Sequence, residues 1–422
     1  MNVMNAMKTL VARLPHCIAA LCLLMAAVAC GSGQQHGEVT VMVPWSGDEF
    51  KAFYAVIKNF QHDTGIRVDV EVTRAQTQQL DAALAAGAPP DLAMLPSVGA
   101  INRYVTGPVN SRLRPLDTTI TEDYAQPFRG LGSIDGTVYA VPVKADVKSL
   151  VWYHPPRKPS VTPATDQTLA GGPEPWCLGL ASGATSGWPG ADWIADLLLA
   201  QGGKDRYEQW LSGDLTWTSG QVAAAWTAWR NLVRDSVHDA PTLEFADAAK
   251  GMTRSPATCS LAHGALSAMG FAGSASPGKD YDFQTPDLKH PLEVSADFVG
   301  RFTDNPAATT LINYLSSTDA QRDWVQVPGS YAISADSQVP DGDYRNTVQR
   351  RIAAMLRPRS GYTLCFSAAD AMRPDVSAAF YRAVLDYAAD AQALSRLLDD
   401  LATVQEEQKN SPVSPDSLCA PA

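Results

Sequence analysis

The sequence lacks the motifs of the common hydrolases and nucleotide-binding enzymes. It contains no Gly-x-Ser-x-Gly and no His-Glu-x-x-His motif, and its seven histidines are scattered. Residues 273–279 match a phosphate-binding loop, but Asp280 stands where that loop needs Ser or Thr to contact magnesium. We therefore expect no catalytic residue, no metal and no cofactor. A glycosidase remains an alternative, because that reaction needs only two carboxyl groups, whose separation in space the sequence does not reveal.

Basic residues are also scarce. The chain has 33 Lys and Arg against 44 Asp and Glu, which gives a formal net charge of −11. This charge falls to −13 when a leader containing Lys8 and Arg13, and no acidic residue, is removed. An acidic chain repels phosphate backbones, so we expect no nucleic-acid partner. The cluster around Arg350 and Arg351 is interpreted as a solvated helix face.

Long apolar runs are missing after the first 30 residues, and this beginning predicts export. Two basic residues precede an apolar run, residues 18–28, that is too short to span a bilayer comfortably. Small residues then lead to Cys30. The pattern predicts a signal peptide over residues 1–29, a lipidated Cys30 as the mature N-terminus, and a short tether over residues 30–37.

The predicted lipid anchor has one alternative. Ala27 stands where lipoprotein signals usually have Leu, so an ordinary signal peptide cleaved after Ala29 stays open. No later segment has the apolar length of a membrane-spanning helix. We expect the protein to lie on the outer face of the cytoplasmic membrane, anchored by the lipid on Cys30.

Cysteines are few once the leader is set aside. Cys17 and Cys22 belong to the leader and Cys30 to the anchor, which leaves Cys177, Cys259, Cys365 and Cys419. An even number in an exported protein favours two disulfides, for which three pairings are possible. Sequence order favours a Cys177–Cys259 and a Cys365–Cys419 pair. Free thiols in the core are the alternative, and no spacing is typical of a zinc site.

The first part of the mature chain alternates between strand and helix patterns. Apolar or alternating segments predict strands, and apolar positions at helical spacing predict helices between them. The expected order is strand 39–43, helix 49–64 ending at Gly65, strand 66–72, helix 76–86 and strand 91–95. This order predicts a parallel doubly wound sheet, in which ligands lie beyond the carboxyl ends of the strands.

The rest of the chain predicts a second core. Residues 136–143 and 148–153 are extended segments that we interpret as a crossing from one lobe to another. Later helices are expected within residues 191–235, after the cap Asn305, after a capping box at Thr318 and within residues 375–410. Three tryptophans at helical spacing, Trp193, Trp226 and Trp229, are expected in the core.

Candidate ligand-binding residues are aromatic or acidic and lie near predicted loops. Trp45, Asp48 and Glu49 follow the first strand, where an indole face and two carboxylates suit a sugar. A helix N-cap at Asp48 is an equally good reading of the same residues.

Five further candidates follow from their positions. Trp152 and Tyr153 lie at the predicted lobe crossing, and Trp188 lies between Gly and Pro in a turn. Tyr331 follows a predicted helix, and Asp370 is either a hydroxyl acceptor or a turn residue. We expect all of these side chains to line a ligand cleft.

Several of these segments together resemble the extracellular solute-binding protein family 1, especially its carbohydrate binders of the α-glucoside type. The resemblance lies in residues 39–50, 87–92, 136–142, 148–153, 175–193 and 302–324, in that order along nearly the whole mature chain.

The resemblance implies a two-lobed α/β fold of the class II periplasmic-binding-protein type. Each lobe would be a doubly wound mixed sheet flanked by helices, joined to the other by hinge strands. The N-lobe would comprise residues 38–147 and 290–333, and the C-lobe residues 148–289 and 334–422. A monomer would bind a carbohydrate in the cleft and deliver it to the transmembrane permease subunits of an ABC importer. Other solutes, such as a glycerophosphodiester or a peptide, and a surface interaction protein without a small ligand, are the alternatives.

Overall fold

The part of the chain that the structure describes contains three β-sheets, of which one is a two-stranded hairpin and the other two organise the fold. The computed structural model describes residues 37–106, 112–158, 175–271, 274–284, 288–407 and 418–422. The predicted signal peptide and Cys30 lie outside these residues. From Glu38 onward the described residues belong to one compact unit.

The strands are short, apart from two long ones near the middle of the larger sheet. They are β1 (Glu38–Val43), β2 (Arg67–Val72), β3 (Leu92–Leu95), β4 (Ser133–Ile134), β5 (Thr137–Val138), β6 (Ala140–Val147), β7 (Val151–Tyr153), β8 (Leu261–His263), β9 (Asp282–Gln284), β10 (Leu292–Arg301), β11 (Thr363–Phe366) and β12 (Cys419–Pro421).

The α-helices lie between these strands. They are α1 (Gly47–Thr64), α2 (Gln76–Ala85), α3 (Val98–Thr106), α4 (Phe128–Leu131), α5 (Trp188–Ser212), α6 (Gly220–Val233), α7 (Phe245–Ala248), α8 (Pro306–Leu315), α9 (Thr318–Gln326), α10 (Thr347–Met355), α11 (Ala368–Ala371), α12 (Pro374–Ala389) and α13 (Leu394–Glu407). None of the helices in this part of the chain is both long and apolar enough to cross a membrane.

The larger sheet is mixed and is organised around β10. Strands β1, β2 and β3 pair in parallel, as the sequence predicts. Strand β10 runs antiparallel to β3 and to β6, and parallel to β11. Its last residues, Phe298 to Arg301, pair with β3, whereas its first residues, Leu292 to Val294, pair with β11. The long strand therefore connects two groups of strands.

The smaller sheet has β7 in its centre, between β8 and β9. All of its pairs are antiparallel. In this detail the structure differs from the expectation that each lobe contains a doubly wound mixed sheet. The chain does pass from the larger sheet to the smaller one between β6 and β7, where the sequence predicts a crossing.

Local signals in the sequence position most helix ends correctly. Gly65 ends α1 with a φ of 70°, a left-handed conformation that glycine adopts without strain. The side chain of Asn305 accepts a hydrogen bond from the Ala307 amide at the start of α8. The predicted capping box at Thr318 is wrong by one residue, because Ser317 caps α9 and the Thr318 hydroxyl donates to Asp336 instead.

Both predicted disulfides are present. Cys177 is bonded to Cys259, and Cys365 is bonded to Cys419, which joins β11 to β12 in the larger sheet. The three tryptophans expected in the core are buried, with Trp226 and Trp229 fully inaccessible.

Candidate functional site

Charged side chains alternate with apolar ones along the two long strands of the larger sheet. Lys144 and Asp146 lie on β6 with Lys148 just after its end, and Ser295 and Asp297 lie on β10. Alternate residues of a strand point to the same face, so each strand brings its polar side chains to one side. The antiparallel register places Asp297 opposite Lys144 and Ser295 opposite Asp146. A polar surface therefore forms on strands whose other residues are buried.

Lys144 is surrounded by three carboxylates, and we name these four residues the Lys144 cluster. The Nζ of Lys144 lies 2.6 Å from Oε1 of Glu49, 3.1 Å from Oδ2 of Asp146 and 3.3 Å from Oδ2 of Asp297. Two of these acids have a second donor. The indole Nε1 of Trp45 donates to Asp297 at 3.0 Å, and the Ser267 hydroxyl donates to Asp146 at 2.9 Å.

A second buried lysine joins three elements, and we name it, Asp192 and Asp370 the Lys148 cluster. Lys148 Nζ lies 2.8 Å from Oδ2 of Asp192 on α5 and 2.7 Å from Oδ2 of Asp370 on α11. It also donates to the Ser367 hydroxyl at 3.2 Å. Glu293, fully buried on β10, accepts a hydrogen bond from Tyr207 at 3.2 Å behind this cluster.

Burial shifts the pKa values of the acids in both clusters. Burial raises the pKa of the Glu49 and Asp146 carboxyls, and Lys144 only partly opposes this. It raises the pKa of Asp192 to about 6, against the attraction of Lys148. The pKa of Glu293 is raised well above its ordinary value, mainly by burial and also by Asp192.

The two lysines stay charged in this surrounding. Burial by itself would lower the pKa of each lysine, but their neighbouring carboxylates together raise the pKa of Lys144 and of Lys148 well above the ordinary value. Each lysine is therefore a permanent cation that is already neutralised by protein acids.

Both clusters open into one cavity of about 330 Å³. This volume is at the lower end of the range for small-molecule sites. Aromatic side chains contribute to its wall, including Trp188 and Phe245, whose ring centroids lie 5.1 Å apart in an edge-to-face arrangement. Three cations and six acids line the cavity: Arg74, Lys144 and Lys148, and Glu49, Asp146, Asp192, Asp297, Asp370 and Asp375. The formal charge is therefore negative.

The structure brings four of the eight predicted ligand residues to this cavity. Glu49 of the Lys144 cluster and Asp370 of the Lys148 cluster line the cavity. Trp188 forms part of its wall and is half-buried. Trp45 also lines the cavity, although only 3% of its surface is exposed, because it packs against Phe53 and donates to Asp297.

The other four predicted residues lie away from the cavity lining. Asp48 is exposed in the first turn of α1, 2.8 Å from Lys51, and it does not cap that helix. Trp152 is fully buried and its indole donates to the Gly264 carbonyl at 2.8 Å. Its ring packs against the rings of Phe271, Tyr281 and Phe283, with centroids 5.4, 6.1 and 5.4 Å away.

Tyr153 and Tyr331 complete this group. Tyr153 is buried on β7, close to the Trp152 position that the smaller sheet covers. The Tyr331 hydroxyl donates to the Phe271 carbonyl at 3.0 Å, and its ring is half-buried against the core.

Sequence reasoning missed the two lysines and three of their acids, Asp146, Asp192 and Asp297. A signal for most of them was available. Lys144-x-Asp146-x-Lys148 places three charged residues at period two in a segment that is otherwise apolar, which is unusual for a strand buried on both faces. Asp192 had no comparable signal, because an acid near a helix start is common.

Across the described ranges, no group of three His, Cys, Asp or Glu side chains could hold a metal ion. The lysines occupy the space between the acids in both clusters. The arrangement suits recognition by hydrogen bonds, since its carboxylate oxygens accept and its lysines organise them.

Comparison with known proteins identifies the family. The model of the bacterial extracellular solute-binding protein family matches residues 55–351. The chain is 31% identical, over 323 residues, to the alpha-glucosides-binding periplasmic protein AglE of Rhizobium meliloti, covering 68% of this chain and 70% of that protein. It is 27% identical, over 377 residues, to the osmoprotective compounds-binding protein GgtB of Synechocystis, covering 83% and 88%.

Solved structures agree with this assignment at the level of the fold. The bacterial solute receptor AcbH, which prefers β-D-galactopyranose, superposes with a TM-score of 0.75 at 16% identity, covering 89% of this chain and 100% of AcbH. The raffinose complex of RafE superposes with a TM-score of 0.69 at 13% identity, covering 88% and 99%. The predicted periplasmic-binding-protein-like α/β fold is confirmed. The glycosidase alternative is overturned, because the chain belongs to the bacterial extracellular solute-binding proteins, the non-enzymatic solute-capturing components of ABC transporters.

Proposed function

We propose that the cavity binds an uncharged carbohydrate, an oligosaccharide or an α-glucoside, which the protein delivers to the permease subunits of an ABC importer. The observation that carries this proposal is the surplus of carboxylates over cations in a cavity that also has an aromatic wall. Sugars present hydroxyl donors at their edges and apolar C–H groups on their faces. Carboxylates and aromatic rings complement these two surfaces.

The charge of the cavity favours neutral solutes over anionic ones. Lys144 and Lys148 contact three and two carboxylates, so neither is free to neutralise a phosphate. An anionic ligand would meet the repulsion of the remaining acids, whereas a neutral polyol would not. This argues against a glycerophosphodiester. The names of AglE and GgtB, which refer to alpha-glucosides and osmoprotective compounds, also fit neutral solutes.

We further propose that β6 and β10 form the hinge between two lobes. The N-lobe would comprise residues 38–147 and 290–333, and the C-lobe residues 148–289 and 334–422. Residues of both lobes line the cavity, including Glu49 from the first and Asp192 from the second. A ligand that touches both lobes binds the closed form more tightly and shifts the equilibrium towards it, which a permease can recognise.

The lipid anchor on Cys30 is part of the same proposal, because a carrier that stays on the membrane surface remains near its permease. Mass spectrometry of the protein from its native membrane tests it. We expect Cys30 to carry two or three acyl chains in the wild type, and we expect Cys30→Ser to lose them and to be released from the membrane. An unmodified N-terminus after Ala29 would contradict the anchor.

A thermal-shift and calorimetric panel tests the ligand class. Maltose, raffinose and galactose represent neutral sugars, and the anionic phosphodiester glycerophosphoglycerol and a tripeptide represent the alternatives. We expect at least one neutral sugar to bind and to raise the melting temperature, because a ligand that binds only the folded state stabilises it. Binding of the phosphodiester or the peptide, with no response to any sugar, would contradict the proposal.

The variant Trp188→Ala locates the site within that panel. We expect it to weaken binding of the best sugar about fivefold, since one stacked aromatic contact contributes about 1 kcal/mol. Trp188→Phe, which keeps a ring, is the matched control and is expected to bind closer to the wild type. An unchanged dissociation constant in Trp188→Ala would remove this residue from the site.

A further inference from the structure

Arg74 differs from the two lysines of the cavity because no carboxylate of the described residues forms an ion pair with it. Its guanidinium carbon lies 5.3 Å from the centroid of the Phe245 ring, and its Nη2 donates to the Ser46 hydroxyl at 3.3 Å. Both Arg74 and Phe245 line the cavity and are half-buried. A guanidinium at this distance from an aromatic ring makes a cation–π interaction.

This contact continues along the cavity wall. The Phe245 ring lies 5.1 Å from the Trp188 ring, at an interplanar angle of 68°, and Lys148 Nζ lies 5.9 Å from the Trp188 ring. Arg74, Phe245 and Trp188 thus form a continuous row, which we name the Arg74 clasp. The row ends at the Lys148 cluster, so the aromatic wall has a cation at each end.

The clasp joins segments that are far apart in the sequence. Arg74 follows β2, whereas Phe245 begins α7 and is tied by its backbone amide to the Ala181 carbonyl at 3.1 Å. The loop from Ala181 leads to Trp188, and a Cβ placed on Gly183 in this loop would lie 3.9 Å from the Cβ of Arg74. One side chain from the β2 side therefore lies near the loop and contacts the aromatic wall at Phe245.

We propose that Arg74 is a positioning residue that keeps Phe245 and Trp188 against the cavity and slows the release of bound solute. Release requires the wall to separate from the segment after β2, and this separation breaks the cation–π contact. Such contacts are stronger when they are shielded from water, so an occupied cavity would strengthen the clasp. From the usual strength of a cation–π pair, its loss is expected to raise the dissociation rate about tenfold.

The first test needs no ligand. Hydrogen–deuterium exchange of the solute-free protein compares the wild type with Arg74→Ala and with the control Arg67→Ala, which removes an exposed arginine of β2 paired with Glu38. We expect Arg74→Ala to speed exchange in residues 181–187 and 243–248, and to leave α6 unchanged. Arg67→Ala should match the wild type. Equal exchange in Arg74→Ala and the wild type would overturn the clasp.

The second test measures release of maltose by stopped-flow fluorescence and rests on the proposed function. We expect the dissociation rate to rise in the order wild type, Arg74→Lys, Arg74→Ala, with a much smaller change in the association rate and in the melting temperature of the free protein. Lysine keeps the charge but loses the planar guanidinium, so partial rescue is expected.

A double-mutant cycle with Phe245→Leu separates this role from a direct contact between Arg74 and the sugar. If Arg74 acts through Phe245, the effects of the two changes on the dissociation rate fall short of additivity. Fully additive effects would overturn the proposal. If only raffinose or galactose binds the wild type, the release experiment uses that sugar. If none of the three panel sugars binds, the proposed ligand class fails, while the exchange experiment still decides the clasp.

Discussion

The two lysine clusters of the cavity look alike, but they differ in what else contacts their acids. In the Lys144 cluster, Asp297 also accepts from the Trp45 indole, and Asp146 also accepts from the Ser267 hydroxyl. In the Lys148 cluster, the Ser367 hydroxyl donates to Asp192 at the longer distance of 3.5 Å, and Asp370 is held by Lys148.

This difference indicates two roles. The acids of the Lys144 cluster keep neutral donors if the lysine is lost, and the Glu49 side chain is 26% exposed, so water can reach it. The acids of the Lys148 cluster depend on the lysine, which connects the end of β6 to α5 and α11. We infer that the Lys148 cluster mainly stabilises the fold, whereas the Lys144 cluster is better placed to exchange partners with a ligand.

The largest expected effect comes from Lys148→Met. This change leaves Asp192 and Asp370 buried without their cation, and removal of one partner from a buried ion pair costs about 3 to 5 kcal/mol. We expect the free energy of unfolding, measured in urea at pH 7, to fall by that amount.

The control for this prediction is Lys204→Met. Lys204 pairs with Asp205 at 2.7 Å, but 54% of its side chain is exposed, so no measurable loss of stability is expected. A Lys148→Met protein as stable as the Lys204→Met protein would show that the Lys148 cluster does not stabilise the fold.

Much of the fold was readable from local sequence patterns. Alternating and β-branched residues predicted β1 to β3, Gly65 marked the end of α1, and Trp188 stood out because Gly and Pro flank it. Sequence order gave the right disulfide pairs. These features depend on neighbours along the chain, which a single sequence displays directly.

The clusters were not readable in the same way, because their partners are far apart in the sequence. Lys144 and Asp297 are separated by 153 residues, and Lys148 and Asp370 by 222. The chain has 44 acids, and no local rule selects the few that fold next to a given lysine. Trp152 was misplaced for a related reason, since the sequence could not show that the distant Phe271 and Phe283 rings pack against its indole.

A smaller effect on stability is expected from Lys144→Met. Its acids retain the Trp45 and Ser267 donors, and the raised pKa values of Glu49 and Asp146 favour protonation, which reduces their repulsion. We expect a loss of about 2 kcal/mol in the same urea experiment. The affinity for maltose should fall more in Lys144→Met than the loss of stability alone explains. The acids that would accept hydrogen bonds from sugar hydroxyls lose the lysine that holds them in position.

The comparison of the two variants has a clear contrary outcome. A loss of stability in Lys144→Met that equals or exceeds the loss in Lys148→Met would show that the second donors of Asp146 and Asp297 do not compensate. The assignment of separate roles to the two clusters would then be wrong.

The smallest effect concerns pH and again distinguishes the clusters. The pKa of Asp192 is raised by burial to about 6 from an ordinary 3.8, so the folded state binds a proton there more readily than the unfolded state. A raised carboxyl pKa means that this residue's contribution to stability becomes more favourable as pH falls from 7 to 5, by about 1 kcal/mol.

Asp192→Asn cannot titrate, so the wild type should gain this amount of stability relative to the variant between those two pH values. Urea unfolding of both proteins at pH 7 and pH 5 measures the difference, and Asp205→Asn, at an exposed ion pair, is the control that should keep the wild-type pH profile over this range. If Asp192→Asn followed the same pH profile as the wild type, Asp192 would not be the proton-binding group of the Lys148 cluster.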